Sequence, residues 1–347
     1  MPPTSRRAAT TTAHSYDDFP VQTGDLDLRG DNSPPLSAVA PALRRLAVTA
    51  ADISSYGAVQ GEPELLLALA GLFGVSPANV VVTAGGSEAL HLALTCVADP
   101  GDRILLPRPA FPGFDELALL GGLRLSHYAV PGPVPPARGA VATVVCTPHN
   151  PTGVLVRHTE VPTAGRGWLI WDVSHTPLTG EEITDLQASL GDADIVVFSL
   201  SKLLRLPGAR VGCLVALNTD LIAAITRAKT HLSMSVSRPS QHLAVQVLTA
   251  AGTTAELADR HHVLTSQRQQ LLAAVDASTA FTADPAASGT HLLVHTNDGT
   301  DAYQALRCVG VVGLPGPVFG APDTAVRLCV AQPPHVIQDA ARRVSEL

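Results

Sequence analysis

Between residues 79 and 217 the chain repeats one pattern, a short run of consecutive apolar residues followed by a segment with helical spacing. The runs are NVVVTA (79–84), RILL (103–106), RLSHYAV (124–130), ATVVCT (142–147), WLIWDV (168–173), DIVVFS (194–199) and RVGCLVAL (210–217). SEALHLALTCVA and FPGFDELALL, lying between them, have helical periodicity. Apolar runs without alternation fit strands buried on both faces, and their alternation with helices predicts a mainly parallel sheet flanked by helices. The predicted fold class is therefore α/β. After residue 235 the rhythm changes to two helical stretches within 238–276, then short strands and helices, which predicts a smaller α+β domain. The boundaries read as a polar, poorly ordered tail at 1–24, a segment at 25–48 joining the small domain, a large domain at 49–235 and a small domain at 236–347. No internal repeat is visible.

Composition narrows the function. With 46% hydrophobic and 15% charged residues, the chain can bury a core and is not disordered. No apolar run approaches 18 residues, so no membrane-spanning helix is expected. A net charge of −7 without a basic tract argues against nucleic acid as partner. Arg6-Arg7 is followed by no apolar stretch, so the N-terminus does not read as a secretion signal. The five cysteines form no C-x-x-C pair and mostly sit in apolar runs, which fits buried thiols in a reducing, cytoplasmic setting. Of the 23 lysines and arginines only Lys202 and Lys229 are lysines. A lysine kept in such a chain can serve chemistry that arginine cannot, because arginine stays protonated and forms no Schiff base. Lys229, in the helical stretch AITRAKTHL, reads as solvent-exposed.

Ligands of α/β sheets bind beyond the carboxyl ends of the strands, so the residues after each run matter most. Gly85-Gly86-Ser87-Glu88 opens a helix, and its N–H groups suit an anion, or form an ordinary turn capped by Ser87. Asn150 lies between Pro148 and Pro151, which stiffen its loop. Asp172 follows WLIW in the fifth run; Ser201 and Lys202 follow the sixth, and Arg210 comes eight residues after Lys202. An anion cradle, a rigid amide, a carboxylate, a lysine and an arginine on one rim form a set that pyridoxal 5′-phosphate (PLP) requires. The lysine forms an imine with its aldehyde and the carboxylate keeps its ring nitrogen protonated. The amide meets its ring hydroxyl, and the helix end and arginine hold its phosphate. His291 and His295 share a strand face without a third ligand, so no metal site is expected.

The motifs TPHNPTG and SLSKLLRLPGARVG, and the late AVRLCVA preceded by GLPGPVFG, resemble the fold-type I PLP-dependent enzymes from about residue 25 onward. Within them the chain is similar to the aspartate-aminotransferase-like group, nearest to histidinol-phosphate aminotransferases and threonine-phosphate decarboxylases. The resemblance implies that Lys202 is the Schiff-base lysine and proton shuttle, Asp172 the partner of the ring nitrogen, and Asn150 a donor to the ring hydroxyl. It implies that Phe111 stacks on the ring, and that Gly86, Ser87 and Glu88 offer backbone N–H groups to the phosphate. Ser199, Ser201 and Arg210 would complete that cup, and Tyr56 would reach the phosphate of the other subunit of a homodimer. Arg327 would bind the substrate α-carboxylate. Side-chain selection would fall to the loop Asp31-Asn32-Ser33, with Asn32 a substrate contact and Arg29 a candidate for a phosphorylated substrate.

The chain departs from the family pattern twice. The usual tyrosine three residues after the strand-end aspartate is replaced by His175, which can also donate a hydrogen bond to the ring hydroxyl. The stretch from Asn150 to Asp172 is also short, and the usual helix there is trimmed. The implied function is an aminotransferase of amino acid metabolism or biosynthesis, passing an amino group from an amino acid to a keto acid. A decarboxylase, lyase or oxidase using the same residues is the alternative. A non-catalytic PLP-sensing protein fits less well, because the tail is too short for a DNA-binding module.

Overall fold

The computed structural model describes residues 5–162, 167–176, 187 and 190–347. Its strands in chain order are β1 (Leu26–Asp27), β2 (Val80–Thr83), β3 (Arg103–Arg108), β4 (Arg124–Ala129), β5 (Ala142–Cys146), β6 (Trp168–Asp172) and β7 (Asp194–Phe198). They continue with β8 (Gly212–Ala216), β9 (Phe281–Ala283), β10 (His291–Thr296), β11 (Val311–Val312), β12 (Leu314–Pro315) and β13 (Ala325–Cys329). Seven of them form one sheet in the order β2-β8-β7-β6-β5-β3-β4. Only β8 runs against its neighbours; all other pairings in this sheet are parallel. Since β8 is antiparallel to both β2 and β7, those two strands point the same way. The carboxyl ends of β2, β3, β5, β6 and β7 therefore share one edge with the amino end of β8, which Arg210 precedes.

The unbroken apolar runs arise because both faces are covered. Val80, Val82, Val145, Trp171, Phe198 and Val215 pack on one side with Leu65, Leu69 and Phe73 of the helix Pro63–Phe73. Val81, Val144, Ile170, Val197 and Leu214 pack on the other with the helices Gly86–Val97 and Thr219–Leu232. The period of two in each strand sorts residues onto opposite layers.

The C-terminal third forms the antiparallel sheet β12-β13-β10-β9, and β1 pairs in parallel with β11. Beside this pair, Leu28 O accepts from Cys329 N at 2.8 Å, which ties the N-terminal segment to β13. The helices Thr253–Ala277 and Pro334–Ser345 supply Leu271, Val275, Ile337 and Val344 to its core.

One expectation changes. Lys229 is fully buried rather than exposed. It lies on the same helix face as Ile222 and Ile225, and its amine donates to the carbonyl of Met234 just beyond the helix end. Residues 5–24 touch the rest of the chain at several points. Thr12 donates to Glu116 through both its backbone N–H and its hydroxyl, and Phe19 meets Tyr303 edge-on at 5.9 Å. Glu116 and Tyr303 lie more than a hundred residues from the segment in sequence, so its own composition does not reveal them.

Candidate active site

A cavity of about 580 Å3 opens at the shared strand edge and is bounded by both sheets and by residues 12–16 of the tail. Gly86, Ser87, Phe111, Asn150, Asp172, His175, Ser199, Lys202, Arg210 and Arg327 all line it. These ten were singled out from the sequence, and the topology brings them together.

At one end, the helix Gly86–Val97 begins with Gly85 at φ +89°. The first N–H groups of a helix have no partner inside it and favour an anion. The turn is tight: the positive φ disfavours a side chain at Gly85, where a Cβ would lie 2.7 Å from the Arg210 guanidinium, and one on Gly86 would lie 3.1 Å from the Ser174 hydroxyl. Arg210 is itself left-handed at φ +50° and is steadied by a hydrogen bond from Nη2 to Ala84 O at 3.2 Å.

Asp172 sits in the middle, 9% exposed, with Oδ1 accepting the Ser174 N–H at 2.9 Å. Burial raises its pKa, and the Ser174 hydrogen bonds oppose this. No cation among the described residues answers the carboxylate. Lys202 keeps accessible surface on the cavity side. The protein around it, followed by the charge of Arg327, lowers its pKa. Phe111 meets Phe114 edge-on at 5.7 Å, and Gly113 leaves room for its ring, since a Cβ there would come within 2.3 Å.

Arg327 closes the far wall. Its neighbours Val326 and Leu328 face the small-domain core, so strand alternation turns Arg327 the other way. The guanidinium lies 4.6 Å from the Phe319 ring centroid and donates from Nη1 to Asn150 Oδ1 at 3.1 Å. Burial lowers its pKa, its Nε has no partner, and no carboxylate among the described residues pairs with it. Because Asn150 Oδ1 accepts from Arg327, the amide N–H groups of Asn150 remain as donors.

Four sequence candidates do not reach the cavity. Ser201 is buried, exchanging hydrogen bonds at 3.0 Å with the backbone of Val211, so it braces the lysine loop against β8. The Glu88 carboxylate turns back to Ala84 N–H and Ser233. Asn32 caps its own loop through Nδ2 to Asp27 O at 3.1 Å. Tyr56 is 82% exposed on the outer surface. Arg29 is no free basic group either, since Asp27 at 2.8 Å and two carbonyls occupy it. From the selector loop it is Asp31 that lines the cavity, held by Arg260 at 2.7 Å and Arg205 at 3.0 Å. Sequence reasoning assigned no role to Ser174, Tyr16, Arg260, Thr290 or His291. Ser174 alone carried a local signal, being two residues past the strand-end acid.

Residues 19–344 match the family model of aminotransferase class I and II. The chain belongs to this family. It is a PLP-dependent aminotransferase with the aspartate-aminotransferase fold. A histidinol-phosphate aminotransferase of Stenotrophomonas maltophilia is 30% identical over 70% of this chain and 71% of its own. Capreomycidine synthase of Streptomyces vinaceus is 29% identical over 76% and 73%. Among solved structures, a Thermus thermophilus aspartate aminotransferase mutant superposes with a TM-score of 0.84 at 21% identity, covering 100% of both chains. In this aminotransferase the small antiparallel sheet carries Arg327, and the short helix Leu200–Leu203 after β7 of the large sheet carries Lys202, so the cavity lies between the two sheets.

Proposed function

We propose that Lys202 holds PLP covalently, that Asp172 keeps its ring nitrogen protonated, and that Arg327 receives the α-carboxylate of the amino donor. The observation that carries this is complementary need. Among the described residues, one cavity contains a buried acid without a cation, a buried arginine without an acid, and a lysine whose surroundings favour the neutral amine. PLP supplies the cation to Asp172, and an amino acid supplies the carboxylate to Arg327. Arg260 is already held by Asp31, and Arg210 lies against Gly85 at the anion cradle, which leaves Arg327 for the substrate.

The remaining residues divide by position. Gly86 and Ser87, with Ser199 and Arg210, fit the phosphate at the helix N-terminus; Glu88 contributes there only through its backbone. Phe111 covers one ring face. Asn150 Nδ2 and His175 donate to the ring oxygen, His175 standing in for the family tyrosine. Once bound, PLP withdraws electrons from the substrate Cα and makes its proton acidic. The Lys202 amine would be the base positioned to accept and hold that proton. Arg327 fixes which Cα bond faces the lysine, and the apolar walls Leu90, Leu257 and Val318 exclude water.

We further propose a homodimer in which the exposed Tyr56 reaches the partner's phosphate site, and a place in cytoplasmic amino acid metabolism or biosynthesis. The five unpaired thiols are compatible with a reducing setting. Single-turnover mixing with individual amino acids tests the main reading. A true donor converts the bound cofactor stoichiometrically to its amine form and yields one keto acid. Loss of carbon dioxide or uptake of oxygen instead would refute transamination.

A further inference from the structure

The cofactor-facing histidine has a supporting chain that begins in the other domain. The turn before β10 is clamped onto the loop after β5. Ala287 and Ser288 donate to Gly153 O at 2.9 and 3.1 Å, and a Cβ on Gly153 would collide with His291 O at 2.4 Å. Gly289, at φ +73°, passes so close that a Cβ would lie 2.8 Å from Pro148, and its carbonyl accepts from Arg268 Nη1 at 2.7 Å. This turn sets Thr290 Oγ1 3.2 Å from His175 Nδ1 and 3.4 Å from His291 Nδ1. The two imidazoles meet edge-to-face at 4.6 Å and 74°.

A hydroxyl has one proton to give and lone pairs to receive. With two imidazole Nδ1 atoms beside it, Thr290 can donate to one and accept from the other. If it donates to His175 Nδ1, the proton of the neutral imidazole resides on Nε2, which is then a donor. The opposite order would set a lone pair of His175 against the cofactor's ring oxygen, itself an acceptor. Among the described residues, the groups facing His175 are Lys202, Arg327, Arg260 and His291, with Asp172 at the end of its own strand. The surrounding protein, and after it any charge on Lys202 and the charges of Arg327 and Arg260, disfavour a second proton, and the pKa of His175 is pushed down to about 3. Charging the ring is therefore not an alternative way to make it a donor at neutral pH.

We propose that Thr290 is a positioning residue: its hydroxyl donates to His175 Nδ1, accepts from His291 Nδ1–H, and so presents His175 Nε2–H to the ring oxygen of PLP. The inference rests on the placement of PLP given above. It also makes the small domain a direct contributor to the cofactor's electronic setting, since Thr290 and His291 enter from the small sheet while His175 follows β6 of the large one.

The test uses the full chain loaded with PLP and compares wild type, Thr290→Val and Thr290→Ser. Valine keeps the shape and removes the hydroxyl; serine restores it. The first readout is the pH titration of the visible cofactor band. Losing a donor to a charged oxygen raises the midpoint, by about one pH unit for a bond of ordinary strength. Thr290→Val should show that rise, and Thr290→Ser should return to the wild-type value. The second readout is the 15N shift pattern of His175, expected to report the Nε2–H form in wild type and a mixture in Thr290→Val. An unmoved midpoint in Thr290→Val, or the Nδ1–H form in wild type, overturns the proposal while leaving the PLP site intact. Absence of any visible band in wild-type protein overturns the PLP placement itself, and this inference with it.

Discussion

Replacing Asp172 by Asn separates what the acid costs from what it does. Without cofactor the carboxylate is 9% exposed, it accepts the Ser174 N–H at 2.9 Å, and burial holds its pKa above the ordinary aspartate value. A carboxyl that binds its proton more tightly when folded lowers stability as the pH rises past its unfolded pKa, the reverse of a salt-bridged aspartate. At pH 7.5 Asp172→Asn removes that charge at almost no change in volume. The cofactor-free variant should be more stable than wild type, by about 1 kcal/mol if half the cost of a poorly satisfied buried group is recovered. With PLP the order reverses. The amide cannot keep the ring nitrogen protonated, and losing one charge-assisted hydrogen bond costs about 1.5–3 kcal/mol, or roughly ten- to hundredfold in cofactor affinity. Urea unfolding at fixed protein concentration, with and without PLP, reads both effects. Trp168 and Trp171, the chain's two tryptophans, lie on the same strand as Asp172 and supply the fluorescence signal. A variant that is less stable without PLP, or that binds PLP as wild type does, would refute the reasoning.

Three other outcomes are expected. Arg327→Gln should raise KM for the amino donor by about a hundredfold, the worth of one charged hydrogen-bonding pair, while leaving the cofactor spectrum in place; an unchanged KM removes Arg327 from the substrate. Gly113→Ala sets a Cβ 2.3 Å from the Phe111 ring, so cofactor retention in dialysis should weaken as it does in Phe111→Leu, and equal retention in both variants and wild type would take Phe111 off the ring face. His149 is 2% exposed and burial holds its pKa near 3, so the unfolded chain binds the extra proton first and acid destabilises the fold. Between pH 6.5 and 5 that histidine should cost about 2 kcal/mol, and Thr152, which contacts its Nδ1 at 2.9 Å, leaves His149→Gln a partner for a flatter stability–pH curve.

Much of the large sheet was legible because its signals are local. Each buried strand is a short apolar run, and the residue that ends it is fixed at the shared edge by chain direction alone. That logic suffices to gather Gly86, Asn150, Asp172, Lys202 and Arg210. It fails where a side chain's fate depends on distant chain. Ser201 and Ser199 look alike in SLSK, yet one turn of helix aims Ser201 at Val211 and Ser199 at the cavity. Lys229 has the spacing of a surface residue until the left-handed Met234, at φ +60°, brings a carbonyl over its amine. Asn32 was the loop's named contact, but its neighbour Asp31 is the one drawn in, by two arginines more than 170 residues away. Thr290 has no motif at all; only the clamp between Gly153 and Gly289 gives it a role.

Borohydride reduction of the PLP-loaded protein, followed by peptide mass spectrometry, tests the central claim most directly. The chain has two lysines, and the buried Lys229 is an internal control. The account predicts one stable phosphopyridoxyl adduct, on the peptide bearing Lys202, and none in Lys202→Ala. An adduct on Lys229, or no adduct in a correctly folded protein saturated with PLP, would contradict it.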